Sequence, residues 1–184
     1  MIEYFYNTKI RSPISDTIIN NLENYQWWTG RRGGQWQPTI FDQTLIDKDP
    51  FLKKIHDRLQ GQINLFKFPP NTYYQWHCDG TNSFNLNLTL KNYDRSFIVF
   101  EKINQNPNVI HKNSKEIVEL RYEPLTWYVF NAQIPHTIFN LENEFRYILT
   151  YNVSKDTGIS YQDFFKIATS ASMAGDEGFE PPHA

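Results

Sequence analysis

The chain has 184 residues, a formal net charge of −2, 40% hydrophobic and 16% aromatic residues, and one cysteine, Cys78. That length fits one domain with a substantial core, and the near-neutral charge excludes the polybasic footprint that draws a protein to nucleic acid. One cysteine excludes an internal disulfide, no apolar run approaches a membrane span, and Met1–Phe5 lacks the regions of a signal peptide, so a cytoplasmic protein away from membranes is expected.

Residues 2–6 read as a short first strand. Ser12-Pro13 or Ser15-Asp16 opens a helix, since Ser and Asp side chains accept bonds from first-turn amides and Pro suits the first turn. Ile14, Ile18, Ile19, Leu22 and Tyr25 fall at helical spacing, so this helix is expected to end just before Thr29-Gly30. Arg31-Arg32-Gly33-Gly34 reads first as a glycine turn with solvated arginines and second as a lid or substrate-contacting loop. Asp49-Pro50 starts a second helix with Phe51, Leu52, Ile55 and Leu59 on one face; His56 lies off that face and reads as a surface histidine.

From Gly61 the period changes to two. Gln62 to Phe68 alternates as a strand and stops at Pro69-Pro70. Strand-like segments then recur at 73–79, 84–90, 96–101, 116–121, 125–131, 136–141 and 146–153. Helical patterns followed by a run of short strands, with an aromatic-rich composition, predict a mainly β sandwich or barrel braced by helices on one side. Residues 161–167 form a last short helix, and 171–184 read as a mobile tail. The expected organisation is a single domain over 1–170 with its core over 61–153.

The chemistry concentrates in Tyr73-Tyr74-Gln75-Trp76-His77-Cys78-Asp79-Gly80. His77 and Asp79 form an H-x-D pair at the end of a strand, with His77 expected on the same face as Tyr73 and Gln75. Two imidazoles and a carboxylate make the facial triad of non-haem iron(II) oxygenases, two ligands coming from one element and the third from far along the chain. His136, stiffened by Pro135, supplies that third ligand. On the strand from Arg146 to Val153, Arg146, Ile148, Thr150 and Asn152 share one face. An arginine in an apolar strand is costly unless an anion meets it, and its planar fork suits a dicarboxylic acid. The plainer reading pairs Arg146 with Glu142 or Glu144.

Taken together, His77-x-Asp79, His136 and Arg146 resemble the iron(II)/2-oxoglutarate-dependent dioxygenases. Phe-Pro-Pro-Asn-Thr-Tyr-Tyr-Gln-Trp-His-Cys-Asp (68–79), Pro135-His136 and Arg146-Tyr147-x-x-Thr150 are similar to the prolyl-hydroxylase-like branch, over roughly residues 61–153. The resemblance implies a double-stranded β-helix, a jelly-roll or cupin-like fold braced by N-terminal helices. It implies His77, Asp79 and His136 as Fe(II) ligands, and Arg146, assisted by Thr150, as the clamp on the distal carboxylate of 2-oxoglutarate. Tyr74 aligns with the family tyrosine three before the first histidine and counts as a cosubstrate contact. Phe68 stands where the branch often has a tyrosine that bonds the cosubstrate, so that contact must come from elsewhere; Asn87, on the polar face of strand 84–90, is the substitute.

The reaction so implied couples oxidative decarboxylation of 2-oxoglutarate to succinate and CO2, with O2 consumed, to hydroxylation of a C–H bond; ascorbate is a candidate reductant. Asp79 favours hydroxylation over halogenation, because related halogenases leave that position to a small residue. The substrate is a small molecule or a peptide, and Trp27, Trp28, Trp36 and Trp76 are candidate pocket walls. The competing class is a cupin-like barrel that binds a metal or ligand without redox chemistry. A cupin enzyme with further His or Glu ligands close to His77 is not supported, and the polar region around His111 does not complete such a set.

Overall fold

The computed structural model describes residues 4–28, 36–102 and 117–173. The Arg31–Gly34 loop, the His111 region and residues 174–184 of the expected tail lie outside the described residues.

Two antiparallel sheets face each other. The strands are β1 (Phe5–Arg11), β2 (Gln37–Ile40), β3 (Gln62–Phe68), β4 (Thr72–His77), β5 (Asn82–Lys91), β6 (Ser96–Glu101), β7 (Ile117–Leu120), β8 (Thr126–Phe130), β9 (His136–Asn140) and β10 (Arg146–Ser154). The larger sheet has the order β1-β8-β5-β10-β3-β2 and the smaller one β4-β9-β6-β7. From β3 onward the chain passes back and forth between the sheets, which is the double-stranded β-helix; β1 and β2 extend the larger sheet at its two edges. The strands at Gln62–Phe68 and Ser96–Glu101 fall where the alternation predicts them.

Helices α1 (Ser15–Ile19), α2 (Pro50–Leu59) and α3 (Tyr161–Met173) complete the fold. Among the described residues no helix is long and apolar enough to cross a membrane. The helices cover one face of the larger sheet. Phe51, Leu52, Ile55 and Leu59 of α2 and Phe164 and Ala168 of α3 join Leu86, Leu88 and Leu90 of β5 and Leu149, Tyr151 and Val153 of β10 in one buried cluster. A second cluster, with Phe68, Ile98, Phe100, Phe130, Ala132 and Ile148, fills the space between the sheets. β5 is therefore buried on both faces: its leucines meet the helices, while Asn85 (6% exposed) and Asn87 (5%) face the second sheet.

Asp49 anchors this arrangement. It caps α2 by accepting from Leu52 N (3.0 Å), and its other oxygen accepts from Ser12 Oγ (2.6 Å) and Trp127 Nε1 (3.0 Å). One buried carboxylate thus joins the end of β1, the start of α2 and the middle of β8.

Several boundaries differ from expectation. β1 runs to Arg11 through an irregular register between Asn7 and Arg11, with Lys9 at φ 61°. α1 stops at Ile19 and is followed by a 3-10 turn over Leu22–Asn24. Asn21 Nδ2 donates to Thr17 O (2.8 Å), a local side-chain bond that competes with helix propagation. β2, unmarked by alternation, contains Pro38 and is tolerated because among the described residues it is an edge strand paired with β3 alone. α3 extends to Met173, past the short helix expected over 161–167 and into the expected tail.

Candidate metal and cosubstrate site

His77 ends β4 and His136 begins β9, and the two residues are directly paired across the strands. Between Tyr74 and His77 the ladder slips: three steps along β4 match two along β9, from Tyr74↔Ile138 to His77↔His136. This β-bulge corrects the face expected for His77. The extra residue turns His77 inward beside Tyr74, whereas Tyr73 and Trp76 are 55% and 53% exposed. Simple alternation placed His77 with Tyr73 and Gln75; a bulge leaves no mark in composition.

Each histidine is locked by its own strand. Nδ1 of His77 lies 2.7 Å from Gln75 O, and Nδ1 of His136 lies 2.8 Å from Ile134 O. A carbonyl can only accept, so Nδ1 is the donor in both rings, which leaves Nε2 of the neutral imidazole to offer a lone pair. Burial, with the neighbouring His77, depresses the pKa of His136 to about 4, so His136 is neutral near pH 7 and suited to a metal.

Asp79 sits in the turn after β4. Its amide donates to Ala132 O (2.9 Å), while Gln133 Nε2 donates to Asp79 O (3.2 Å) and to Asn82 O (2.5 Å). The turn that carries Asp79 is thus bound to the turn that leads into His136. Asn85 Nδ2 (3.0 Å) and Asn82 Nδ2 (3.4 Å) donate to Asp79 Oδ2, and Oδ1 lies 3.6 Å from His77 Nε2. Ligand atoms of His77, Asp79 and His136 all fall within 4.8 Å of one another, a donor set that fits Fe(II). Sequence reasoning missed Asn82, Asn85 and Gln133, whose spacing carries no metal signature.

The triad opens on a cavity of about 350 Å³ between the sheets, a size typical of small-molecule sites. Tyr74, Asn87, Arg146 and Thr150 line the same cavity. Tyr74 meets the His77 ring edge-on, with centroids 4.4 Å apart. Asn87 and Thr150 are cross-strand partners on β5 and β10. Of the four tryptophans considered as walls, Trp36 lines the cavity; Trp27 packs against the helical core, and Trp28 and Trp76 are exposed. His56 is half-buried and edge-on to Tyr151.

Arg146 is 1% exposed, and Nε, Nη1 and Nη2 have no hydrogen-bond partner among the described residues. Neither plainer partner is used: Glu142 accepts from the Arg95 amide and Glu144 from Asn92. The Tyr122 ring lies 5.4 Å from the guanidinium carbon. Burial lowers the Arg146 pKa from its usual value, but a guanidinium keeps its charge in proteins. The cavity therefore brings the His77, Asp79 and His136 cluster together with a buried guanidinium that has no hydrogen-bond partner among the described residues. Tyr122 was also missed by sequence reasoning, since it follows β7 in a loop with no motif of its own.

No protein-family model matches the sequence, and no curated protein matches it. Solved structures do. An oxidoreductase of the 2OG-Fe(II) oxygenase family from Burkholderia pseudomallei aligns with a TM-score of 0.52 at 10% identity, covering 77% of this chain and 77% of its own. A prolyl-4-hydroxylase from Pseudomonas putida gives 0.52 at 13% identity, covering 82% of this chain and 91% of its own. The Drosophila melanogaster CENP-C cupin domain gives 0.44 at 7% identity, covering 80% and 82%. At such identities the likeness is one of fold, the double-stranded β-helix shared with the first two of these structures.

Proposed function

We propose that the protein is an Fe(II)- and 2-oxoglutarate-dependent oxygenase that hydroxylates a small-molecule or peptidyl substrate. The observation that carries this reading is Arg146, a fully buried cation without an anionic partner among the described residues, in the cavity that also holds His77, Asp79 and His136. A buried charge left unpaired is destabilising by several kcal/mol, so the site is built for an anion. A dicarboxylate with a metal-binding end satisfies both halves at once.

The iron and the 2-oxo acid supply the oxidising power, with O2 consumed and the cosubstrate decarboxylated. The protein's own residues orient and shield. The Nδ1–H bonds of His77 and His136 fix the rings with Nε2 towards the ion. Asn85 and Asn82 hold Asp79 Oδ2, leaving Oδ1 on the side of His77. Arg146 and Thr150 hold the distal carboxylate, with Asn87 beside them. Ile98, Phe130 and Ile138 give the cavity apolar walls that limit water. Asp79 in the third ligand position favours hydroxylation over halogenation.

Anaerobic titration of the Fe(II)-loaded protein with 2-oxoglutarate tests this reading. A weak visible charge-transfer band is expected for wild type and is lost in His136→Ala. No band in wild type, or an unchanged band in the variant, overturns the assignment. Metal binding without succinate release under O2, across a substrate panel, would point instead to a cupin-like binding barrel.

A further inference from the structure

Tyr122 contacts two of the residues that line the cavity, Arg146 and Asn87. Its ring lies 5.4 Å from the Arg146 guanidinium carbon, and its hydroxyl accepts from Asn87 Nδ2 at 3.0 Å. With the amide in that orientation, Asn87 Oδ1 is buried without a partner among the described residues. A buried acceptor left unsatisfied is destabilising.

A half-turn of the Asn87 amide keeps its shape and exchanges oxygen for nitrogen. In the turned form the Tyr122 hydroxyl donates to Oδ1, and the orphaned acceptor is satisfied. The amide N–H groups then point where Oδ1 pointed. Asn87 lines the cavity alongside Arg146, and its cross-strand partner Thr150 lines it too. An anion on Arg146 favours this form, because it accepts N–H bonds and repels an amide oxygen. Burial raises the Tyr122 pKa to about 12, so the phenol keeps the proton it must donate.

We infer that Tyr122 is a positioning residue for the cosubstrate: through its hydroxyl it orients the Asn87 amide so that N–H, not C=O, meets the distal carboxylate held by Arg146. This rests on the 2-oxoglutarate reading and deepens it. It also accounts for Phe68, which lies opposite Arg146 on β3 and has no hydroxyl to offer. The polar contact is supplied from β5, the strand on the other side of β10, by Asn87 together with Tyr122.

The test measures 2-oxoglutarate binding to the Mn(II)-loaded protein by calorimetry, beside 2-oxobutanoate, which keeps the metal-binding end but lacks the distal carboxylate. Tyr122→Phe keeps the ring against Arg146 and removes only the hydroxyl. Its expected effect is about ten-fold weaker 2-oxoglutarate binding, the order of one buried hydrogen bond to a charge, with 2-oxobutanoate affinity and Mn(II) affinity unchanged. Asn87→Ala is expected to weaken 2-oxoglutarate at least as much, and the double variant to be no weaker than Asn87→Ala alone, because Tyr122 acts through Asn87. Unchanged 2-oxoglutarate affinity in Tyr122→Phe, equal loss for both 2-oxo acids, or additive losses in the double variant would each overturn the inference. If wild type does not bind 2-oxoglutarate, or Arg146→Ala binds it as well as wild type does, the proposed function itself fails.

Discussion

An arginine with 1% exposure and three nitrogens unpartnered among the described residues is a liability to the fold that contains it. Replacing buried charges by apolar side chains of similar volume is often neutral or stabilising, by roughly 1–4 kcal/mol. Arg146→Met is therefore expected to melt at a higher temperature than wild type when no cosubstrate is present, and to gain nothing from added 2-oxoglutarate. A lower melting temperature would mean that Arg146 supports the fold through contacts other than an anion. His136 makes a second residue-level prediction. Unfolded, it takes up a proton near pH 6.5; folded, only near pH 4. Between these values the unfolded state binds more protons, so stability rises with pH through that window and is flat with respect to this group above it. The chelator-treated protein is expected to lose melting temperature as pH falls from 7 towards 5. His136→Gln is expected to show a shallower slope, and an equal slope in both proteins would remove His136 as its source.

At the scale of elements, Asp49 and the β4 bulge show what a sequence can and cannot declare. Asp49-Pro50 announces α2 as a cap followed by a first-turn proline, and the helix begins there. Nothing in the sequence says that the same carboxylate also binds Ser12 and Trp127. Asp49→Ala is expected to destabilise by about 3 kcal/mol, from the lost cap and two stranded buried donors. Thermal or denaturant unfolding measures this, and a change below about 1 kcal/mol would demote the Asp49 network. The period-two runs of β3 and β10 were legible because one face meets the helices and the other the second sheet. β2 was not, because Pro38 suits only an edge and the partnership with β3 is non-local. Likewise the H-x-D spacing and distal His136 were visible, whereas their supports Asn82, Asn85, Gln133 and Tyr122 come from separate elements and meet only in the folded chain.

For the molecule as a whole, the site lies between two sheets built from backbone ladders and packed through two apolar clusters. Chelation is expected to leave the far-ultraviolet dichroism unchanged. Saturating Mn(II) should raise the melting temperature, mass action adding about 2.7 kcal/mol of stability at a hundred times the dissociation constant. Loss of β structure on chelation would show that the ion is part of the fold rather than an addition to it.

The place of β4 in its sheet has a further consequence. β10, which carries Arg146, is hydrogen-bonded on both sides by β3 and β5, whereas among the described residues β4 is an edge strand paired with β9 alone and interrupted by its bulge. One end of the cavity is thus set in a stiff frame, and the other hangs on a margin that can fray. An ion bound to His77, Asp79 and His136 would act as a clasp, fastening that margin to its neighbour. In amide hydrogen exchange, β4 is expected to open far more readily than β10, and Mn(II) to slow exchange in β4 selectively. Uniform slowing across both strands would mean that the ion stabilises the whole barrel and fastens no margin.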